Sequence, residues 1–493
     1  MSEVVRVRST RVRLSTVAWV VLAVLAAIQL PTPFLGDQAL FAVGGDILAN
    51  GGVIYRDFWD IKQPGIYLYF AVASWLPGSI ELAVHVLDSL CWLGVALLLG
   101  AVARTTTNRP VIATLVPLLT VGSYLAGARP NDLSQIESLL ALPLLASMWL
   151  AVGPPAQGPH RTRALVLTGV LTAVVGILKI VYMPIVGAIW LLAAWRRWRD
   201  LVPLLLGCAA VIAGVVTYFA AVGVLDDAWF IYFDYSLSTT ASAGRPLSRL
   251  AEWPRYMAPV FAVVGPLGLV GLWRVARRQL HEPLYDAAAL CILVSVPFVL
   301  IQHWWPYHSM LFLAPFGVLA IPGLELALRW GRPVLLFGLA ASLLPIITLG
   351  ERLGELARHD FAITADARRE YQRAVESTYT DADRLAALLN APESISGDIY
   401  VLSNPLFQLR SGRKQAIAIN GWAPEQYDVK VWSMLSDQLR EADPAYVLVD
   451  EYSHEYLVER APALHEWLHA GYCDLDPTGF ELLARNDAST CDV

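Results

Sequence analysis

Charged side chains gather between residues 34 and 64, just past the first apolar segment. Asp37 lies within Phe34-Leu-Gly-Asp-Gln-Ala-Leu-Phe41, and Asp57, Asp60 and Lys62 lie within Tyr55-Arg-Asp-Phe-Trp-Asp-Ile-Lys-Gln-Pro64. Charges held against a membrane surface cost desolvation unless paired, so three carboxylates, an arginine and a lysine there point to function. A carboxylate with apolar neighbours on both sides, as Asp37 has, suits a general base. Helix capping is its competing reading, because Gly36-Asp37 precedes a helical pattern over 38–50. Lys62 suits a phosphate ligand or, more plainly, a lysine snorkelling to the headgroups.

Further polar residues stand near the ends of later apolar segments. Arg129-Pro-Asn131-Asp132 and Glu137 form one group, in which Asn131 or Asp132 equally suits a helix cap. Lys179 interrupts an apolar run, where an unpaired ammonium is expensive, and a lipid phosphate would pair it. Arg245 follows Ser242-Ala-Gly244 in a long connection and could close on a donor or acceptor. His303-Trp-Trp-Pro-Tyr307-His308 reads as an interfacial aromatic belt. His303 and His308 lack the spacing of a metal pair on a helix face, so no zinc site is expected. Glu81, His85 and Asp88, four and three residues apart, share one helix face. They form either a polar seam toward a neighbouring helix or the lining of an acceptor cavity.

The elements that position these residues are membrane helices. The 493 residues are 56% hydrophobic and only 16% charged, with 17 Trp, beyond what a globular core needs. Apolar segments fall at about 14–26, 80–103, 110–127, 133–152, 163–178, 180–195, 201–223, 256–273, 285–301, 308–326 and 333–350. These give about eleven spans, with a tight turn at Lys179 dividing 163–195. Arginines fall at every second connection, beginning with Arg6, Arg8, Arg11 and Arg13, and the loop acids fall at the others. The positive-inside rule then places the N-terminus in the cytoplasm and the acidic loops outside. An odd number of spans puts the chain from 351 outside as well. No small-residue cleavage site precedes Pro31-Thr-Pro33, so the first segment is expected to be a retained helix of a multi-pass plasma-membrane protein.

Two domains are expected: 1–350 in the membrane, with a first outer loop at 31–79, and a small extracytoplasmic α/β domain at 351–493. In the latter, helices are expected over 364–391, 428–442 and 453–470, and strands over 398–403 and 445–450. Two Asp-x-Asp triplets, 381–383 and 474–476, could suggest a metal-bound nucleotide sugar, but no Gly-rich phosphate loop accompanies them. A net charge of −6 without an outer basic patch excludes nucleic acid. Cys91, Cys208 and Cys291 fall in apolar segments as small fillers. Cys473 and Cys491 lie in the tail, where an oxidising compartment allows but does not require a bridge.

The acid after the first span, the stretch Gly52-Val-Ile-Tyr55-Arg-Asp57-Phe-Trp59-Asp60-Ile-Lys62-Gln-Pro64 and the many later spans together resemble the GT-C integral-membrane glycosyltransferases. The branch most resembled holds the dolichyl-phosphate-mannose protein mannosyltransferases and the aminoarabinose transferases. The likeness is specific over 30–200 and architectural beyond. It implies a mainly α, polytopic GT-C helix bundle and a polyprenyl-phosphate sugar donor. An acceptor hydroxyl on a glycan, lipid or protein would attack the donor at C1, with inversion, on the outer face. The family's first-loop acid falls on Asp37, and its Lys-Pro-Pro element on Lys62, Gln63 and Pro64. Lys179, Arg245, Tyr307 and His308 are the further residues expected around the donor phosphate, with Asp57, Asp60 and Glu137 as secondary acids. No cofactor is required, and a divalent metal has no support in the residues. The chain departs from the family in two ways. Asp37-Gln38 stands where Asp-Glu is common, and Gln63 replaces a proline, which leaves the backbone beside Lys62 less restricted. A high-GC composition leans toward cell-envelope acceptors and a decaprenyl-type carrier. A secondary transporter or lipid flippase is the main alternative, although such proteins carry internal repeats that this chain lacks. A non-catalytic partner that binds wall polymer is another.

Overall fold

The computed structural model describes residues 2–236, 247–392, 394–475 and 480–486. By contacts, the chain resolves into two compact units. The first comprises Met1–Thr32, Glu81–Ala221 and Gly244–Ala367, and the second Pro33–Ile80, Val222–Ala243 and Arg368–Val493.

The first unit is a bundle of apolar helices. It includes α1 (Ser2–Gln29); the residues of α2 (Asp37–Ala49) and α3 (Gly65–Ser74) belong to the second unit, and α4 (Ile80–Thr106) and α5 (Pro110–Gly127) follow. Every apolar segment expected from sequence falls on a helix. Among the described residues, eight helices are long and apolar enough to cross a membrane, and the protein is a multi-pass membrane protein. The eleven segments differ from straight spans in two places. Ile180–Ala194 is shorter than eighteen residues. The segment expected at 256–273 is a helix pair, Ser248–Phe261 and Val264–Ala276, bent by 94°. Pro254 and Pro259 in its first arm weaken the backbone ladder before the bend.

Helices Arg161–Leu178 and Leu201–Ala221 pack through small residues. A Cβ on Gly169 would strike the carbonyl of Leu204, and one on Gly207 that of Val166. With lipid offering no hydrophobic gain, such close backbone approach supplies the packing that holds membrane helices together. Arg161–Leu178 ends at Lys179, whose extended backbone (φ −162°, ψ 102°) breaks the run before a 3-10 turn at Ile180–Tyr182. The turn expected at Lys179 is present.

In the second unit, α2 and α3 pack through Phe41, Tyr67 and Phe70, with ring centroids 5.5–6.2 Å apart from Phe41. The tail residues build a four-stranded sheet ordered β1-β2-β4-β3 from β1 (Ile399–Leu402), β2 (Tyr446–Asp450), β3 (Tyr472–Asp474) and β4 (Phe480–Arg485). β1 and β2 run parallel, with Ile399 opposite Tyr446 and Leu402 opposite Val449; β4 is antiparallel to both its neighbours. The two parallel strands are nearly continuous apolar runs, as burial on both faces demands. The helix expected over 453–470 divides into Glu451–Arg460 and Pro462–Gly471, because Pro462 cannot continue the first helix but suits the first turn of the second. Cys473 is disulfide-bonded, and Cys91, Cys208 and Cys291 are free thiols. Cys491 lies outside the described residues.

Candidate functional site

Asp37 opens α2 as its first residue. The cap position is held by Gly36, whose φ of 59° and ψ of −121° suit only glycine, and no side chain caps the helix. The carboxylate of Asp37 is therefore not spent on the helix end. Its Oδ1 accepts a 2.8 Å hydrogen bond from the indole Nε1 of Trp422 and lies 3.7 Å from Nζ of Lys62.

Lys62 also stands 3.5 Å from Oδ2 of Asp60 and 5.4 Å from the centre of the Phe41 ring. Its ammonium thus sits between two carboxylates at distances beyond a tight hydrogen bond, and it keeps 20% of its side-chain surface exposed. Asp60 is fixed from behind by a short hydrogen bond from the Tyr67 hydroxyl. The backbone that carries Lys62 is fixed as well, because the hydroxyl of Tyr55 donates to the Lys62 carbonyl at 3.0 Å. Burial holds the Tyr55 phenol well above its ordinary range, so it stays a neutral donor. Tyr55 itself has φ 78°, a conformation a non-glycine residue adopts only at a cost of about 1–3 kcal/mol.

Asp57 is not part of this cluster. Its Oδ2 accepts from the Val53 amide at 2.7 Å, and its carboxylate forms a 3.0 Å ion pair with Arg56. The Arg56 hydrogen bond lowers its pKa. Asp57 closes the turn that presents Asp60 and Lys62.

In the first unit, a second group forms around Glu137, which is 1% exposed. Its Oε1 accepts from Nζ of Lys179 at 2.6 Å and from the Tyr182 hydroxyl at 2.8 Å, with Nε2 of His308 at 3.8 Å. Gln302 donates to the Tyr182 hydroxyl at 3.0 Å. Lys179 therefore does not present an unpaired ammonium to a phosphate; Glu137 neutralises it. Tyr307 packs edge-on against the His308 ring, centroids 4.8 Å apart. Arg245 lies outside the described residues.

The remaining candidates act locally. Asp132 accepts from the Arg129 amide at 3.0 Å, and burial pushes its carboxyl up to about 6. The face Glu81-His85-Asp88 is buried: Asp88 accepts from the Tyr124 hydroxyl of α5 at 3.1 Å, and His85 Nε2 meets the Thr32 carbonyl at 3.1 Å. These contacts are those of a polar seam between helices.

Sequence reading did not find Trp422. It lies 385 residues from Asp37, in the segment Asn420-Gly-Trp-Ala-Pro424, and nothing in its local pattern points to a distant carboxylate. Its own amide donates to Asn420 Oδ1 at 2.9 Å. Asn420 in turn donates to the carbonyl of Trp59 at 2.8 Å, and the Trp59 amide donates to Ala418 at 2.8 Å. A short parallel bridge, Trp59 to Ile419, thus ties the Lys62 loop to this tail segment.

No protein-family model matches the chain, and no curated protein matches by sequence. Among solved structures it is similar to the aminoarabinose transferase ArnT from Cupriavidus metallidurans bound to undecaprenyl phosphate. The TM-score is 0.60 at 14% identity, covering 97% of this chain and 98% of that one. The same protein in the apo state matches with a TM-score of 0.58 and the same identity and coverage. The fold is GT-C. Identity this low speaks for the GT-C architecture and not for any single residue, so the roles of Asp37 and Lys62 rest on the geometry above.

Proposed function

We propose that this GT-C protein is a glycosyltransferase that takes a sugar from a polyprenyl-phosphate donor and attaches it, with inversion, to an acceptor hydroxyl outside the cytoplasm. The observation that carries this reading is the pairing of Asp37 with Lys62 at 3.7 Å, at the start of α2. In the reaction, the acceptor oxygen bonds to C1 of the sugar as the C1–O bond to phosphate breaks. The acceptor proton passes to Asp37, and the bond electrons leave with the polyprenyl phosphate. The leaving group departs as an anion, so a nearby cation is worth more than a proton donor. Lys62 supplies it. Held loosely by Asp37 and Asp60, its ammonium can move to the phosphate when donor arrives, which releases Asp37 to take the proton. Asp60, anchored by Tyr67, then stays beside the lysine as its counter-charge.

Tyr307 and His308, together with Arg245, are proposed as further donor-phosphate residues, whereas Lys179 is held by Glu137. The N-terminus is placed in the cytoplasm, and the tail sheet, with its disulfide-bonded Cys473, outside. The division into a membrane part to 350 and an outer part from 351 is part of the same proposal, and the outer part shapes access of the acceptor.

The test is transfer by the purified full-length protein in nanodiscs. Decaprenyl and undecaprenyl phosphates carrying mannose or arabinose serve as donors, octyl glycosides as acceptors, and products are read by mass spectrometry. A glycosylated octyl glycoside formed from a lipid-linked donor, and not from nucleotide sugars, is expected. Counterflow of labelled lipid-linked sugar with no glycosidic product would instead make the protein a transporter.

A further inference from the structure

We infer that Trp422 is a positioning residue for the base: its indole N–H holds Oδ1 of Asp37 so that Oδ2 is the oxygen that receives the acceptor proton. This deepens the reading of Asp37 as base and rests on it.

The two carboxylate oxygens of Asp37 are in different situations. Oδ1 takes the Trp422 hydrogen bond and faces Lys62. No hydrogen-bond donor among the described residues reaches Oδ2. A carboxylate offers about four lone-pair sites, so fixing one oxygen orients the other without using up its capacity. The carboxylate keeps 17% of its surface exposed, enough for a hydroxyl to approach.

The donor type matters. An indole N–H only donates; it cannot accept a proton or gain a charge. It fixes the carboxylate's direction without competing for the acceptor's proton. Lys62 alone could not serve this purpose, because its proposed task takes it to the phosphate during the reaction. A second, immobile donor on Oδ1 keeps the carboxylate aimed after the lysine has moved.

The indole is itself held. Its amide is tied to Asn420 Oδ1, and Asn420 is tied to the Trp59 carbonyl three residues before Lys62. The Tyr427 hydroxyl donates to the Asn420 carbonyl in a short hydrogen bond, and the Tyr235 hydroxyl to the Gln426 carbonyl at 2.8 Å. On the other side, Gly421 has no room for a side chain, since a Cβ would meet the Val401 carbonyl. The tail segment is therefore a fixed strap that carries one N–H to the base.

The step it serves balances without a further reactant. The acceptor O–H breaks and its proton goes to Oδ2. The acceptor oxygen bonds to C1, and the C1–O(phosphate) electron pair leaves with the polyprenyl phosphate.

The test uses Trp422→Phe, which keeps an aromatic ring and loses the N–H, and Trp422→His, whose five-membered ring returns an N–H at about the indole nitrogen's distance from Cβ. Transfer from undecaprenyl-phosphoryl mannose or arabinose to octyl glycoside is measured in the full-length protein, with melting temperature alongside. For Trp422→Phe, kcat should fall roughly 10- to 100-fold, the worth of one hydrogen bond to a charged group. Donor KM should stay within about twofold. Trp422→His should recover most of the loss, and all three melting temperatures should agree. The inference is overturned if Trp422→Phe keeps full kcat, if both variants lose activity equally, or if the losses follow a fall in melting temperature. Asp37→Asn in the same assay separates this outcome from failure of the parent reading. An active Asp37→Asn removes the base itself, whereas an inactive Asp37→Asn beside a fully active Trp422→Phe removes only the role of Trp422.

Discussion

Lys62 and Lys179 are equally exposed, at 20% and 21% of their side-chain surface, yet they are held in opposite ways. Lys62 stands 3.5 and 3.7 Å from two carboxylates, one of them partly open to solvent. Lys179 donates at 2.6 Å to a single carboxylate that is 1% exposed and also bonded by Tyr182. The loose arrangement can exchange one anion for another at little cost. The tight one resists exchange, because a carboxylate left alone in a low-dielectric interior is severely penalised. In a protein rich in membrane helices, then, a lysine near a carboxylate marks a ligand site when the pair is loose and a structural lock when it is tight.

The sharpest way to break this comparison is to remove each lysine in turn. Lys179→Met strands Glu137 and should destabilise the fold by about 3–5 kcal/mol, seen as loss of monodisperse protein or a large drop in melting temperature in detergent. Lys62→Ala should melt close to the wild type while transfer from a lipid-linked sugar falls by roughly two orders of magnitude or more, the scale reached when one preorganised electrostatic group is lost. Reversed outcomes, a robust Lys179→Met and an unfolded Lys62→Ala, would invert the assignment.

A smaller effect separates buried carboxylates that lack a lysine from those that have one. Asp132 has its folded pKa raised to about 6 from 3.8 by burial. Between those values the folded state binds more protons than the unfolded one, so stability should fall as pH rises from about 4 to 6 and level off above. Thermal unfolding across that range should show the decline, and Asp132→Asn should remove that part of the slope. The smallest effect is expected at Asp57, which is exposed and paired with Arg56. Arg56→Ala should cost less than about 1 kcal/mol and leave transfer nearly unchanged, measured by melting temperature and turnover together.

What the sequence made legible was whatever depends on local pattern. Apolar runs predicted every membrane helix, because a span must be continuously apolar, and the break at Lys179 followed from a charge in such a run. β1 and β2 were visible as short buried runs, whereas β3 and β4, shorter or mixed in polarity, were not. The 94° bend has no signature in the sequence, since prolines also lie inside single spans, as Pro297 and Pro322 do. In the site, Asp37, Asp60 and Lys62 lie within 26 residues of one another and form one local cluster of charge in the sequence. Charge alone could not tell Asp57, which closes a turn, from Asp60, which faces the lysine; that depends on the strained backbone at Tyr55. Nor could it show that Glu137 neutralises Lys179 across 42 residues, or that Trp422 reaches Asp37 across 385. Such pairings are set by tertiary packing and leave no periodicity in the chain.

The central claim is that Asp37 is the base, and Asp37→Asn in purified full-length protein tests it most directly. Transfer from undecaprenyl-phosphoryl mannose or arabinose to an octyl glycoside is followed at saturating donor, with donor binding measured separately. The account predicts that turnover falls by roughly two to four orders of magnitude, the usual worth of general base catalysis, while donor binding and melting temperature stay near wild type. Turnover unchanged in Asp37→Asn would contradict it.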